Sequence, residues 1–205
     1  WLEAKVLADD AKRRLAVVNH PRAMAHLMIA ESRLHLATDP KFALVAAKDA
    51  LSALHVAEQQ RDRDSRQRAL GVMADAYLLL GKPDRSSTMA QKRLQLAELQ
   101  ESLVDRISAL RQLASARSMQ GHRLVARQHL HEGLKMARHL SLVAEQAVLL
   151  LALGNELAIS GASAAATQRY QEAAAICADL NLPAERIVAM LGLARCYLQV
   201  GDLAR

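Results

Sequence analysis

Eight histidines, two cysteines and a long run of arginines are the residues of this chain whose spacing could carry chemistry. His129 and His131 stand two apart, so on a helix they point to different faces. His131-Glu132-Gly133 also lacks the second histidine with which a zinc-protease helix grips its metal. His122 and His129, seven apart, share a face, but two imidazoles alone make a poor metal site, and solvated histidines are the better reading. Cys177 and Cys196 fit no metal or redox spacing and read as small buried hydrophobes in a reducing compartment. Gly154 and Gly161 form no dinucleotide fingerprint, because no strand precedes them, and no Gly-rich loop is present to cradle a phosphate. With no nucleophile turn and no acid–base pair to name, the chain is expected to be no enzyme and to need no cofactor or metal.

Charge is the next candidate. The formal net charge is +6, and its location matters more than its size. Between Arg106 and His139 lie Arg106, Arg111, Arg117, Arg123, Arg127, Lys135 and Arg138, with Glu132 as the one acid among them. Four histidines, His122, His129, His131 and His139, share the stretch and are expected to add charge in mild acid. The patch Arg106, Arg117, Arg123, Arg127, Lys135 and Arg138 has three readings. It is a solvated helix face, or a surface that steers an acidic protein partner, or a support for nucleic acid. Nucleic acid is the least favoured, since no stacking aromatics accompany the arginines.

The elements that carry these residues read as helices throughout. Hydrophobic residues make up 52% of the chain but aromatics only 2%, so Ala and Leu must do the packing, and both are strong helix formers. Four prolines and eight glycines leave few breaks. The longest apolar run, around Ala147 to Gly154, is far short of the ~20 residues that cross a bilayer, so no membrane span is expected in this segment, and the location is expected to be cytoplasmic.

Internal periodicity organises the whole chain. Gly81, Gly121, Gly161 and Gly201 are spaced by 40 residues without a slip, each following one amphipathic stretch and preceding another. A glycine just past a helical pattern is the favoured left-handed cap, because it has no Cβ to penalise positive φ. Asp39-Pro40-Lys41 fills the same slot one repeat earlier with other turn chemistry. After each turn a face of small residues recurs at i, i+4, i+7: Ala46/Ala50/Ala53, Ser86/Ala90/Arg93, Ala126/Leu130/Gly133 and Ala166/Tyr170/Ala173. Ala4/Ala8/Ala11 is a similar set two residues out of phase. Helices are predicted over 2–18, 22–38, 42–59, 64–80, 84–99, 103–120, 123–139, 143–160, 163–179 and 184–200, joined by short, antiparallel connections.

Before each turn the first helix carries Leu70/Met73/Ala74/Tyr77, Leu110/Leu113/Ala114/Arg117, Leu150/Leu153/Gly154/Leu157 and Met190/Leu193/Ala194/Tyr197. Together with the turn glycine and the Ala-x-x-x-aromatic-x-x-Ala of the second helix, this resembles the tetratricopeptide (TPR) repeat, best in the unit with Leu153-Gly154, Gly161, Ala166, Tyr170 and Ala173. The period is 40 rather than the usual 34. The resemblance implies an all-α fold, a right-handed α-α superhelix of about ten antiparallel helices. It would form one array over 1–205: a partial repeat 1–20, repeats 21–62, 63–102, 103–142 and 143–182, and a partial repeat 183–205. Because the chain opens on Trp1 and ends on Gly201-Asp202-Leu203-Ala204-Arg205, a fragment of a longer protein with a flanking output domain is expected.

Longer repeats of this sort resemble those of bacterial signalling proteins and LuxR-type regulators, which implies a regulatory module that binds a protein, a peptide or a small effector. The first helices would line a concave face. One ring on it is Glu31, Gly71, Arg111, Leu151 and Leu191; the next, a helical turn on, is His35, Asp75, Ser115, Asn155 and Arg195. Alternatives are a structural scaffold that self-associates, or a basic support for nucleic acid.

Overall fold

The computed structural model describes residues 2–18 and 20–200, and among them ten α-helices and no strand. They are α1 (Leu2–Val18), α2 (Pro21–Thr38), α3 (Ala43–Gln59), α4 (Arg63–Leu79), α5 (Pro83–Leu99), α6 (Leu103–Met119), α7 (Arg123–His139), α8 (Val143–Ile159), α9 (Ser163–Asp179) and α10 (Pro183–Val200). The predicted helices all form, with ends shifted by one residue at most. Pro21, Pro83 and Pro183 each occupy a first helical position, where a missing N–H costs nothing. Between α2 and α3 a single 3-10 turn, Pro40–Phe42, is opened by the Asp39 carboxylate, which accepts from the Lys41 N–H at 2.9 Å.

The backbone keeps a shorter cadence than the glycines suggest. Helices α3 to α9 are each 17 residues long. From α3 onward the backbone turns left-handed every 20 residues: Arg61, Gly81, Glu101, Gly121, Ser141, Gly161 and Asn181 have φ from 51° to 83°. Each closes the preceding helix with the same two bonds. At Gly81 its own N–H donates to the Leu78 carbonyl (3.0 Å) and the Lys82 N–H to the Tyr77 carbonyl (2.9 Å), so the last carbonyls are satisfied by the reversing chain. Glycine holds the turn inside a repeat, whereas Arg61, Glu101, Ser141 and Asn181 hold the turns between repeats at a steric cost. Gly201 lies outside the described residues.

The helices gather into two compact units, residues 1–116 and 117–205. In the first, α2, α3, α4 and α5 pack in sequence order and α2 also lies against α4. Its core is Ala25, Ile29, Ala50, Ala53, Ala69, Val72 and Met73, with Met28, Leu36 and Tyr77 at its margin. Alanines at the contact let backbones approach closely. All four small-residue sets from 46 to 173 are buried, as the i, i+4, i+7 spacing predicts. Of the Ala4/Ala8/Ala11 set, Ala8 is buried, Ala11 is half-buried and the side chain of Ala4 lies outside the described ones.

In the second unit, α8 packs on α7, α9 and α10. Tyr170 of α9 is fully buried between two first helices: a Cβ on Gly154 would stand 2.8 Å from its ring, and one on Gly192 2.5 Å. Those two glycines are therefore the room the ring occupies. Cys177 and Cys196 are buried free thiols, and burial pushes that of Cys177 above its ordinary value.

The left-handed residues yield a stability test. Glu101→Gly should stabilise the chain by about 0.5 kcal/mol, the relief of the Cβ clash less the entropy glycine loses. Gly121→Ala should destabilise it by about 1 kcal/mol. Urea melts of the two variants against the parent check both signs.

Candidate functional site

Helices α2, α4 and α6 carry the expected wall residues of the first unit, and a buried polar network joins α4 and α6 through α5. Arg93, on α5, lies 9% exposed with its guanidinium over Gly71: a Cβ there would meet Nη1 at 2.9 Å. Nη1 donates to Gln112 Oε1 at 3.0 Å, and Nη2 reaches Asp105 Oδ1 at 3.4 Å. Gln112 Nε2 in turn donates to the Gly71 carbonyl and to Asp75 Oδ1, both at 2.9 Å. Asp105 is steadied in the first turn of α6 by the Ser102 hydroxyl, which donates to it at 2.7 Å. Each Gln112 amide atom is thus committed, and α4, α5 and α6 are tied at one point.

Burial pushes the Asp75 carboxyl above its ordinary 3.8, although Arg111, Gln112, Arg93 and Arg33 all favour its ionised form. The half-buried Arg111 keeps an Nε that is buried and without a hydrogen-bond partner, and Ser115, one turn on, donates to the Arg111 carbonyl at 3.2 Å. Arg111 thus acts electrostatically on Asp75, and Ser115 is bonded to the Arg111 backbone.

Other expected wall residues are engaged differently. Glu31 is buried and ion-paired with Lys12 of α1 at 2.6 Å. His35 stacks on Phe42, ring centroids 5.4 Å apart, and stands 3.9 Å from the Asp49 carboxylate, so it faces the α2–α3 turn. In the second unit Leu151 is buried and serves packing, while Leu191 is 63% exposed. Asn155 is exposed and accepts the Tyr170 hydroxyl at 2.7 Å; burial pushes that phenol up, so it stays a donor. Arg195 is exposed beside it.

The basic patch divides. Arg106 is half-buried in the first unit. In the second, Arg138 is bonded to Glu172, which Arg169 also holds at 2.8 Å; Arg127 reaches the Ser160 hydroxyl and Arg117 the Gln120 side chain. Arg123 and Lys135 are exposed on α7. Two of the four histidines expected to gain charge in mild acid are harder to protonate than a free imidazole. Burial holds His129 below its ordinary 6.5, and burial with Arg169, Arg127 and Arg138 holds His131 below it. No group of three or more metal-ligating side chains converges among the described residues.

The sequence reading passed over Arg93 and Gln112 as site residues. Two anomalies mark Arg93 and the Gly71 it lies over, and none marks Gln112. Arg93 stands where Ala53, Gly133 and Ala173 stand in other repeats, and Gly71 stands where Glu31, Arg111, Leu151 and Leu191 do.

No family model matches the chain, and no curated protein does. Solved structures do. The Rap protein, crystallised in complex with competence and sporulation factor, superposes with a TM-score of 0.80 at 19% identity over 88% of this chain; the chain spans 50% of that structure's length. BtubC from P. vanneervenii matches at 0.70 and 19% identity, over 98% of this chain and 83% of the other. A kinesin light chain with nearly identical TPR-like repeats, from Podosopora anserina, matches at 0.68 and 17% identity, over 90% of each chain. At such identities the likeness establishes the fold: TPR-like helical repeats, as the sequence pattern implied.

The raised Asp75 carboxyl has a definite pH signature. Its folded-state pKa lies above the unfolded one, so ionised Asp75 lowers stability at neutral pH, and that deficit is relieved as pH falls through the raised value toward 3.8. Asp75→Asn should therefore be the more stable chain at pH 7, by on the order of 1 kcal/mol. Its advantage should shrink on acidification. Chemical melts of both chains across pH 4 to 8 measure it.

Proposed function

We propose that this chain is a non-catalytic binding module that holds a peptide or protein segment against its first helices. In the full-length protein it would pass the occupied state to an output domain of a bacterial signalling or transcription regulator. One observation carries the reading: the first unit holds Arg93, Asp105 and Asp75 in one hydrogen-bonded cluster with Gln112. The slot of Arg93 is filled elsewhere by Ala53, Gly133 or Ala173, and that of Asp75 by His35, Ser115, Asn155 or Arg195. Buried charge costs stability, and such a cost is retained where recognition uses it. The Rap protein, half of whose length this chain spans, was crystallised in complex with competence and sporulation factor, which supports a binding role, and the TPR resemblance supports a regulatory one. No helix among the described residues is long and apolar enough to cross a membrane.

A second reading, self-association, draws on α10. Ile187, Met190, Leu191 and Leu198 are exposed there, whereas the same slots of α8, Ala147, Leu150, Leu151 and Ala158, are buried. Sedimentation separates the readings: a mass that rises with concentration and reverts with Leu191→Glu favours association through α10.

The binding reading is tested by selecting peptides from a random displayed library on the immobilised chain. Selected peptides should lose at least tenfold in affinity to Asp75→Asn and to Arg111→Ala. Peptides indifferent to both substitutions would sink it.

A further inference from the structure

We infer that the recess between α3 and α5, floored by α4, is a second binding site of the first unit, and that it takes a small zwitterion with an apolar body, the chemistry of a free hydrophobic amino acid. Two second helices frame it, so the inference goes beyond the peptide reading above, which concerns the first helices, and stands or falls separately.

The recess has a volume of about 280 Å³, at the lower end of the range that small-molecule sites occupy. Leu54 of α3, Leu70 of α4 and Leu96 of α5 give it an apolar lining; Leu70 and Leu96 are buried and Leu54 is half-buried. Three charged side chains line it beside them: Glu58 of α3, Arg66 of α4 and Lys92 of α5. No ion pair among the described residues engages any of the three. Glu58 and Lys92 are exposed, whereas Arg66 is half-buried and keeps an Nε that is buried and without a hydrogen-bond partner. A buried donor left unbonded opposes folding, and a ligand acceptor relieves it.

The second unit uses the same slots differently. Two repeats on, Leu134, Leu150 and Ile176 stand for the three leucines, and Arg138, Gln146 and Glu172 stand for Glu58, Arg66 and Lys92. There Arg138 is joined to Glu172 at 3.4 Å, and Gln146 Nε2 donates to the Ala137 carbonyl at 3.3 Å. Helices α7, α8 and α9 thus spend these polar groups on one another. In the first unit the signs of the pair are exchanged, an arginine replaces the glutamine, and all three charges stay open to a ligand. A ligand carboxylate answers Arg66 and Lys92, and its oxygen can take the Arg66 Nε–H. An ammonium answers Glu58, and an apolar side chain covers the leucines. A simple acid would leave Glu58 desolvated and unanswered, and a simple amine would do the same to Arg66 and Lys92. A zwitterion without an apolar body would leave the leucines wet.

The test uses the full chain and L-leucine, followed by backbone NMR. Three controls each lack one feature: 4-methylpentanoate the ammonium, 3-methylbutylamine the carboxylate, and glycine the apolar body. Leucine should shift the resonances of residues 54–58, 66–70 and 92–96 saturably, and each control should bind there roughly tenfold more weakly. Controls that match leucine, leucine shifts confined to other helices, or no saturable shift at tens of millimolar overturn the assignment. Arg66→Gln installs the residue of the second unit and should weaken leucine roughly fivefold. Glu58→Arg with Lys92→Glu transplants the second unit's ion pair, and should weaken it roughly tenfold while the chain keeps the circular dichroism of the parent. Should Arg66→Gln fail to fold, Lys92→Gln, at an exposed position, must show the loss in its place. Parent affinity in any of these folded variants overturns the inference. The peptide selection on Asp75 and Arg111 reads the other site, so failure of one result leaves the other standing.

Discussion

A helix of 17 residues closed by one left-handed residue is the constraint on which the other features depend. At 1.5 Å per residue such a helix is about 25 Å long. Because α3 to α9 share that length and one left-handed residue follows each, residues 40 apart occupy equivalent positions along their own helices. Positions scattered through the sequence become rows, and a row is what gives meaning to an exchange such as Gly71 for a side chain and Arg93 for an alanine. The two bonds at each reversal, repeated seven times, satisfy carbonyls that would otherwise be stranded at helix ends.

Within each unit a long side chain from a second helix is wedged against the first helices, and the two wedges differ in kind. In the second unit Tyr170 presents a ring to Gly154 and Gly192 and spends its hydroxyl on Asn155. That wedge gains from buried apolar area and leaves one satisfied hydrogen bond. In the first unit Arg93 does the equivalent work one helical turn further on, over Gly71, with a charge in place of a ring. Desolvating a guanidinium opposes folding, and Gln112 and Asp105 offset that cost only by being held in place. A charged wedge is the more demanding solution to the same packing problem. It also fixes the Asp75 carboxylate through Gln112.

Most of the fold was legible in the residues. The glycines at 81, 121 and 161 do sit at positive φ, the small-residue faces are buried, and Pro21 and Pro183 open helices. The turns between repeats were not legible as left-handed, because Arg61, Glu101 and Ser141 belong to residue types with no preference for that region. Of the expected wall residues, Asp75 is held by Gln112, whereas Glu31 and His35 are engaged by Lys12, Phe42 and Asp49. Periodicity places a Cα on a face. It does not tell which neighbour the side chain will reach.

What the sequence determined by itself was the period, the helix type and the small-residue contacts, because each depends on residues no more than a few turns apart on one helix. What only the tertiary structure decided was which charges meet. Arg93 and Gln112 are 19 residues apart, and Gln112 and Gly71 are 41 apart. Their bonds exist because packing sets three helices at one distance and register, and a hydrogen bond tolerates only a few tenths of an ångström of error in either. The Asp75 carboxyl acquires its raised pKa from the same source: burial is a property of the assembled helices, which no stretch of the chain possesses alone.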